Sequence, residues 1–554
     1  MQAVAVLFFL AVAVRCARAR PAEIPDTPKE SKGPLGLWLS LIIGAAVWAA
    51  MVPFYFIGDD FEHLARAKGP MFASLWELTI RGQQGAFLRP VGFASIFLDY
   101  RLYGYWPAGY HLTNLAIHLA CVGGVYYLAR ELRFGSQIAS MASLIYAVLP
   151  IEAEAVTWMG ARFDLLSACF TIWGAVLYVS YRRSGRIGKY VTALVCFSLA
   201  TLSKENAYVF PLLLAAAEYL VLPQPRWRPL GGCFLLAAIL FLYRWEVLGG
   251  IGGYMNPTGQ PMALHAGVKV LQGLFLRGPA LLLLGYNWAQ PPQAATMLLF
   301  LLTSAVLLTV LLLSGPAAGG WRRVCFCFVW MVVPLLPAHP FLLITADLRT
   351  SRVLYLGAPG LAMLLAQVFA GIPSMRTRWA AAGLLACLFS AGVLHNLGAW
   401  RSASQMEERF LAEIRRLEPS PPPRTEFVFH NMPYQVLGID FHVAGLGDAI
   451  RMALGRDDVD ARRVLDPSAQ EDRAPKRPEI HIWLYCGAAP CAAAASHAAR
   501  PKADRGSAAA HGAAPHLTLA RVSQKSARHT APPRADPRRV SPATRECWMA
   551  SPRL

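Results

Sequence analysis

Long apolar blocks separated by short polar stretches dominate the chain from residue 35 to residue 397. A hydrocarbon core about 30 Å thick is crossed by roughly 20 helical residues, and eleven blocks approach this length. They cover residues 35–57, 110–129, 137–151, 164–181, 190–203, 207–222, 230–248, 294–314, 324–341, 353–372 and 379–397. The pattern predicts an all-α polytopic membrane protein with about 11 transmembrane helices.

Two other apolar segments do not fit a simple span. The first fourteen residues are apolar, but Arg15, Arg18 and Arg20 follow the run, whereas a secretory signal carries its positive charge before it. We therefore interpret residues 1–34 as a weak anchor or an over-extended start outside the core. Residues 249–293 are rich in Gly and Pro, and a partly apolar helix near 264–285 is expected to be re-entrant or interfacial.

Basic residues in alternate loops predict the orientation. With the amino end of the first span in the cytoplasm, the cytoplasmic loops carry Arg130 and Arg133; Arg182, Arg183, Arg186 and Lys189; Arg226 and Arg228; Arg322 and Arg323; and Arg376 and Arg378. The opposite loops are longer and mixed in sign, above all a first outer loop at 58–109. The prediction is a multi-pass protein, of the plasma (inner) membrane if bacterial, with its carboxyl-terminal part outside.

The apolar blocks stop after residue 397. An amphipathic helix at 400–417 is followed by the strand-like runs TEFVFHN and EIHIWLYC, with the helix-like GLGDAIRMAL between them. Residues 399–487 are therefore predicted to form a small extracytoplasmic α/β appendage. Residues 488–554 are biased toward Ala, Pro, Arg and Ser, and we expect a disordered basic tail.

Composition agrees with this architecture. The chain is 55% hydrophobic and 15% charged, with a mean hydropathy of +0.39, whereas soluble domains have about 25% charged residues. The net charge is +19, of which residues 500–554 supply +8 (eleven basic minus three acidic residues). Because much of the remainder lies in short loops, we expect membrane lipids and not nucleic acid as partners.

The stretch FYFIGDDFEH places Asp59 and Asp60 directly after the first apolar block. Adjacent carboxylates at an apolar boundary repel each other and lose hydration, which suits one of them to act as a general base. An ordinary polar loop leaving a membrane would also begin this way. The companions of the pair on the outer side decide between the two interpretations.

Basic and polar residues recur on the predicted outer face. An ionisable group at a membrane boundary normally faces a polar cavity and a partner, and several convergent cations suit a phosphate. The candidate phosphate ligands are Arg89, Arg162, Lys204 and Arg352; the candidate cavity or acceptor residues are His111, Asn114, Asp164 and Glu205. Glu152 and Glu154 could join an aspartate around Mg²⁺ or Mn²⁺, which prefer oxygen ligands, although the sequence does not require a metal.

Several motifs together carry a family resemblance. FLRPVGFASIFLDYRLYGYWPAGYHLTNLAIHL, LPIEAEAVTWMGARFDLLSACF and TLSKENAYVFPLLL occur in this order within residues 35–400. The region resembles the membrane half of the transmembrane and tetratricopeptide-repeat O-mannosyltransferases and their bacterial relatives, which are C-type (GT-C) glycosyltransferases. LPIEAEAV lacks the histidines common in that motif, and Ser351 stands where an acidic residue is usual.

The resemblance implies a many-helix fold and a polyprenyl-phosphate sugar donor. It also implies an acidic catalytic pair at Asp59 and Asp60, and donor-phosphate contacts from the four basic candidates. The expected function is inverting transfer of mannose or a similar hexose to a hydroxyl of a protein, lipid or glycan on the outer face. The alternatives are a transporter or flippase, which usually binds its cargo near mid-membrane between repeated halves, and a scaffold whose appendage binds a partner.

Overall fold

The computed structural model of this chain describes residues 1–18, 34–83, 86–254, 268–315, 320–337, 344–442, 444–464, 478–486, 489–490 and 517–522. The chain divides into two compact units. The first unit comprises Met1–Pro53 and Ala67–Leu397, and the second comprises Phe54–Arg66 and Gly398–Leu554. The segment that holds Asp59 and Asp60 therefore belongs to the second unit, together with the carboxyl-terminal part of the chain.

Helices make up most of the described chain. In order they are α1 Gln2–Arg18, α2 Leu35–Trp48, α3 Asp60–Lys68, α4 Met71–Arg81, α5 Pro90–Tyr103, α6 Pro107–Glu131, α7 Ser136–Ala147, α8 Ala153–Thr157, α9 Arg162–Ser184, α10 Ile187–Ser203, α11 Phe210–Leu220, α12 Trp227–Leu248, α13 Val268–Gln272, α14 Gly278–Leu284, α15 Gln293–Leu313, α16 Gly320–Val332, α17 Ala358–Ala370, α18 Met375–Leu417 and α19 Leu446–Leu454. Short 3₁₀ turns at Pro150–Glu152, Met159–Ala161, Glu205–Val209 and Ser351–Leu354 connect several of them.

Each of the eleven apolar blocks contains a helix, and the longest helices suit a membrane. Within the described residues, five are long and apolar enough to cross one: α6, Met159–Ser184 (which includes α9), α12, α15 and α18. A sixth would be α7 with Pro150–Thr157, which are bent by 46° relative to each other. The chain is therefore a membrane protein, while the number of eleven spans stays a prediction.

The amino-terminal helix corrects one expectation. The sequence predicts that residues 1–34 lie outside the core, but in their described part, 1–18, α1 contacts α14, α15 and α16 of the first unit. Ala5, Phe8 and Val12 are buried, and Arg15 donates hydrogen bonds to the backbone oxygen (2.8 Å) and hydroxyl (2.9 Å) of Ser314. The apolar run thus has a packing partner, and its trailing arginine caps the end of α15.

Close packing within the first unit depends on small residues. A Cβ on Gly124 of α6 would lie 2.7 Å from Ile172 Cγ2 of α9, and one on Gly360 of α17 would lie 2.5 Å from the backbone of α16. Small residues allow helix backbones to approach each other in this way. Between 268 and 284 the structure has α13, a single π-helical segment and α14, where we expected one helix at 264–285; residues 264–267 lie outside the described chain.

The second unit contains a mixed sheet. Its strands are β1 Glu426–His430, β4 Asp460–Arg463, β5 Glu479–Cys486, β6 Ala489–Pro490 and β7 Leu517–Val522; β2 Gln435–Val436 and β3 Ile439–Asp440 form a separate pair. β1 lies parallel to β4 and β5, and β6 and β7 pair antiparallel with β5. Phe427 and Phe429 of β1, Ile450 of α19 and Phe410 of α18 are buried in its core.

Two boundaries differ from the sequence prediction. The helix expected at 400–417 is the carboxyl-terminal part of α18, which runs without a break from the last apolar block because the chain has no proline between Met375 and Leu417. Strands β6 and β7 lie in the stretch predicted to be disordered. The remaining tail residues, 488, 491–516 and 523–554, lie outside the described chain.

Candidate functional site

Helix ends of the first unit bring three basic side chains beside three carboxylates. Arg89 immediately precedes α5, Lys204 follows α10, and Arg352 lies in the 3₁₀ turn Ser351–Leu354. Their acidic partners are Glu205, Asp164 and Glu154. We call these six residues the basic cluster, after the cations that we expect to bind a ligand.

Arg89 and Glu205 form a two-point contact. Arg89 Nε donates to Glu205 Oε2 at 3.0 Å, and Nη2 donates to Oε1 at 2.5 Å. Burial opposes the ionisation of Glu205, but the positive charges of Arg89, Lys204 and Arg244 lower its pKa to about 2. The carboxylate is therefore ionised at every physiological pH, and it fixes the direction of the guanidinium.

Asp164 and Glu154 contact the other two cations, Lys204 and Arg352. Lys204 Nζ lies 2.6 Å from Asp164 Oδ2, and Arg352 Nε lies 3.9 Å from the same oxygen. Arg352 also binds Glu154 through its Nη1 and through its backbone N–H, the latter at 2.8 Å from Oε2. Burial lowers the pKa of Lys204 despite the neighbouring Asp164. Burial also favours the neutral form of Arg352, but the negative charges of Glu154 and Asp164 outweigh it and raise the pKa of Arg352.

Aromatic rings and a close helix contact hold these cations in place. The Arg89 guanidinium lies 4.1 Å from the ring centroid of Phe87, and that of Arg352 lies 4.9 Å from Trp158, both within the range of cation–π attraction. A Cβ on Gly92 would clash with the ring of Phe163, so glycine permits the approach of α5 to α9. Pro90 at the first position of α5 begins the helix directly after Arg89.

The three cations remain partly accessible. The side chains of Arg89, Lys204 and Arg352 are 12%, 13% and 19% exposed, respectively. Arginine presents paired donors that match phosphate oxygens, and lysine adds a compact positive charge. The arrangement can therefore receive an anion with several oxygens, because its donors are already oriented and incompletely shielded.

Arg162 differs from the other basic candidates. Its side chain is fully buried; Nη1 lies 2.8 Å from Asp99 Oδ2 and donates to Ser95 Oγ at 2.9 Å, and Nη2 donates to the Tyr110 carbonyl at 2.9 Å. Nε donates to the side-chain oxygen of Asn114. Since these donors are committed to protein groups, Arg162 suits the joining of α5, α6 and α9 better than the binding of a ligand.

The polar stripe on α6 also serves internal contacts. Asn114 Nδ2 donates to the carbonyls of Val156 and Trp158 at 3.0 and 3.1 Å, and His111 is buried. His118 Nε2 lies 3.3 Å from the Ala147 carbonyl, so this nitrogen carries the proton. Nδ1 therefore accepts from the Tyr355 hydroxyl at 2.9 Å when the ring is neutral.

The expected metal ligands lie in different surroundings. Glu154 belongs to the basic cluster, and Ser351 Oγ donates to its Oε2 at 3.2 Å. Glu152 is fully buried, 3.8 Å from His118 Nδ1. In the part of the chain that the structure describes, no three His, Cys, Asp or Glu side chains are grouped closely enough to hold a metal ion.

The acidic pair begins a helix of the second unit. Asp60 is the first residue of α3 and is 3% exposed; its Oδ2 accepts a hydrogen bond from the Ile57 N–H at 3.0 Å. Asp59 immediately before it is half-buried. The amino terminus of a helix favours negative charge, and this position therefore suits both carboxylates. Asp59 is the more accessible of the two.

Two residues beside the site were missed by sequence reasoning. Arg244, 5% exposed within α12, donates to the Ile251 carbonyl at 3.2 Å and contributes to the low pKa of Glu205. Asp99 is the buried partner of Arg162. A charge inside an apolar block signals a partner, so Arg244 could have been found in the block 230–248; the partnership of Asp99 depends on the fold.

Comparison with known proteins shows which family this chain resembles. The family model for dolichyl-phosphate-mannose-protein mannosyltransferases matches residues 90–245. The chain resembles the protein O-mannosyltransferases. A relative of that name from Caenorhabditis elegans, F38B6.6, is 23% identical over 372 residues, which is 62% of this chain and 53% of the relative. Human TMTC3, another protein O-mannosyltransferase by name, is 34% identical over 124 residues, which is 21% of this chain and 13% of the length of TMTC3. The resemblance drawn from the sequence motifs is thereby confirmed.

The chain spans about half the length of the first of these relatives, and less of the others. Drosophila melanogaster Tmtc1, 32% identical over 143 residues, matches 25% of this chain and 16% of its own length. The residues that the family model matches, 90–245, include Pro90, Lys204 and Arg244.

Two kinds of solved structure were also found. An oligosaccharyltransferase from Archaeoglobus fulgidus is 13% identical, with a TM-score of 0.42, and covers 78% of this chain and 64% of its own. ArnT from Cupriavidus metallidurans, bound to undecaprenyl phosphate, is 10% identical with the same TM-score and covers 80% of this chain and 92% of its own. At this level of similarity neither fold nor activity follows from the likeness.

Proposed function

We propose that this chain is a membrane glycosyltransferase that moves mannose or a similar hexose from a polyprenyl-phosphate donor to an acceptor hydroxyl on the outer membrane face. The observation that carries the proposal is the basic cluster, in which three partly exposed cations are oriented by carboxylates at the ends of helices. A phosphate attached to a membrane lipid is the anion that such a site in a membrane protein suits best.

The donor phosphate would bind to Arg89, Lys204 and Arg352. Glu205, Asp164 and Glu154 keep these side chains oriented before a ligand arrives. Charge-assisted hydrogen bonds to phosphate are about twice as strong as neutral ones, and preorganised donors in a water-poor site stabilise a developing charge by several kcal/mol. The cluster thus suits a departing phosphate group.

Asp59 is the proposed general base. Its carboxylate removes the proton from the acceptor hydroxyl while the hydroxyl oxygen attacks the anomeric carbon of the sugar. The bond between that carbon and the phosphate oxygen breaks, its electron pair stays on the oxygen, and polyprenyl phosphate leaves. Attack opposite the leaving group inverts the anomeric centre. Asp60, which is buried and accepts from the Ile57 N–H, would hold the loop and not take the proton.

The names of the relatives favour a protein as the acceptor. A lipid or glycan hydroxyl would react by the same step, since the base acts only on the acceptor oxygen. A resident metal is not part of the proposal, because phosphate is already a good leaving group when cations stabilise its charge.

The test uses purified protein in detergent with a polyprenyl-phosphate mannose labelled in the sugar. Release of polyprenyl phosphate and transfer of label to peptides rich in Ser and Thr are measured for the wild type and for Asp59→Asn, Arg89→Gln and Arg352→Gln. Arg183→Gln is the matched control, because Arg183 forms an ion pair with Glu131 away from the cluster and is 43% exposed.

The proposal expects Asp59→Asn to lower kcat by at least about 10²-fold, and the arginine variants to raise the donor KM and lower kcat/KM. Arg183→Gln should match the wild type. Folded protein with no turnover, but with movement of the labelled lipid across sealed vesicles, would instead support the flippase alternative. Full activity of Asp59→Asn would exclude this aspartate as the base.

A further inference from the structure

We propose that the second unit is a positioning device for the acidic pair, with Gly445 and Ser404 as positioning residues that hold residues 54–62 in their working geometry. We call residues 54–62 the acidic loop. The inference rests on the proposed function for its catalytic meaning. Its structural basis is that Phe54–Arg66 groups with Gly398–Leu554 and not with the preceding or following helices.

The loop is first fixed at its amino end. The Tyr55 backbone N–H donates to Ser404 Oγ of α18 at 2.6 Å. Ser404 is 4% exposed, and the neighbouring rings of Phe56 and Phe61 are each 1% exposed. A partly buried backbone donor that lost this partner would be costly to leave unsatisfied, so the serine fixes the entry to the loop.

Gly445 contacts the backbone on both sides of the aspartates. This residue precedes α19 with φ +75°, and a Cβ there would lie 2.7 Å from the Gly58 carbonyl oxygen and 3.3 Å from the Glu62 nitrogen. Residues 58 and 62 flank Asp59 and Asp60. Because the neighbours are main-chain atoms, an added methyl group could be accommodated only by moving the acidic loop itself.

A buried histidine completes the contact. His442 Nε2 lies 2.7 Å from Glu407 Oε1, and both side chains are fully buried. The imidazole ring stacks on Phe61, with centroids 5.8 Å apart and planes 25° apart, and also contacts Phe410. Phe61 directly follows Asp60, so Glu407 of α18 orients the ring against which the start of α3 packs.

The segment that carries His442 is itself fixed from the sheet. Arg463 of β4 donates to the carbonyls of Phe441 at 2.7 Å and His442 at 3.2 Å, and its guanidinium lies 4.4 Å from the Tyr434 ring centroid. The sheet, α18 and the turn before α19 therefore all contact the acidic loop or its support. A catalytic group displaced by about 1 Å can lose about 10²-fold in rate.

The sharpest test compares two glycines at opposite ends of α19. Gly455 has φ +65°, but a Cβ there would have nothing within 4 Å, whereas one on Gly445 would meet main-chain atoms. Gly445→Ala and Gly455→Ala therefore introduce the same kind of backbone strain, and only the former displaces the acidic loop. We expect Gly445→Ala to lower kcat by about 10²-fold without raising the donor KM, and Gly455→Ala to retain wild-type kcat.

Hydrogen–deuterium exchange of residues 54–62 in the full chain tests whether Gly445 holds the acidic loop, and this measurement does not depend on sugar transfer. The amides should exchange faster in Gly445→Ala than in Gly455→Ala. If the wild type transfers no sugar, the proposed function fails, while the exchange comparison still decides whether Gly445 holds the loop. Equal exchange in the two variants, or a raised donor KM with unchanged kcat, would overturn the inference.

A second pair covers the case in which Gly445→Ala does not fold. Ser404→Ala removes the acceptor of the Tyr55 N–H, whereas Ser402→Ala, two residues away on α18, removes only a bond to the Gly398 carbonyl in the same helix. Ser404→Ala should speed exchange at Tyr55 and lower kcat severalfold. If the two serine variants exchange and turn over alike, the second unit does not position the acidic pair.

Discussion

Arg162 offers a direct test of whether burial separates structural cations from ligand-binding ones. The side chains of Arg162 and Asp99 are 0% and 4% exposed, and their charged atoms lie 2.8 Å apart. Removing one member of such a buried pair leaves the other uncompensated and costs about 3–5 kcal/mol. In a large chain about 2 °C of Tm corresponds to 1 kcal/mol, so Arg162→Gln should lower Tm by about 6–10 °C.

The assay measures thermal unfolding in detergent and the donor KM of the remaining folded protein. Arg183→Gln is the control, because its partly exposed ion pair with Glu131 contributes at most about 1 kcal/mol. Replacing both members of the buried pair, Arg162→Leu with Asp99→Leu, should recover part of the lost stability, since apolar pairs often substitute for buried ion pairs. An unchanged Tm together with a tenfold higher donor KM for Arg162→Gln would refute the reasoning and restore Arg162 as a phosphate ligand.

Three further outcomes follow from individual contacts. Arg352→Lys should keep the charge beside Glu154 yet raise the donor KM by about tenfold, because lysine lacks the paired donors of arginine; an unchanged KM would argue against a direct phosphate contact. Glu152→Leu should raise Tm by a few degrees, since the two buried carboxylate oxygens accept no hydrogen bond among the described residues, and a lower Tm would indicate a hidden partner. Burial, together with the charges of His481 and Arg462, lowers the pKa of His430 to about 4, below the roughly 6.5 of an unfolded chain. The contribution of His430 to the stability of the second unit is therefore fully present above about pH 6.5 and is lost progressively as the pH falls toward 4. Thermal unfolding measured at several pH values should show a smaller loss of Tm between pH 6.5 and 4 in His430→Gln than in the wild type.

The hydrophobic pattern predicted the helices well because burial in a membrane depends mainly on local composition. Each apolar block contains a helix, and the longest of them satisfy the length and composition of a span. Boundaries were less predictable. Nothing local marks the end of a membrane helix when polar residues continue the same periodicity, and α18 therefore extends from Met375 to Leu417 without a stop.

The basic cluster could be predicted as a set of residue types but not as a set of partners. Arg89, Lys204 and Arg352 were identified because charges beside apolar blocks need partners. Their pairing with Glu205, Asp164 and Glu154 joins residues up to 198 positions apart in the chain. Such pairing is a property of the packed helices, and no local pattern contains it.

Arg89 and Arg162 show where sequence reasoning reaches its limit. Both are arginines beside an apolar block, and both were assigned the same role. In the folded chain Arg89 remains 12% exposed and is paired with Glu205, while Arg162 is enclosed by Asp99, Ser95 and Asn114. We propose that the number of protein acceptors around a cation separates a ligand-binding arginine from a structural one. That number is set only when α5, α6 and α9 meet. The same reasoning applies to Asp59 and Asp60, which the sequence treated as equivalent. The backbone N–H of Ile57 and the burial of Asp60 distinguish them, so the more accessible Asp59 is the better candidate for the base.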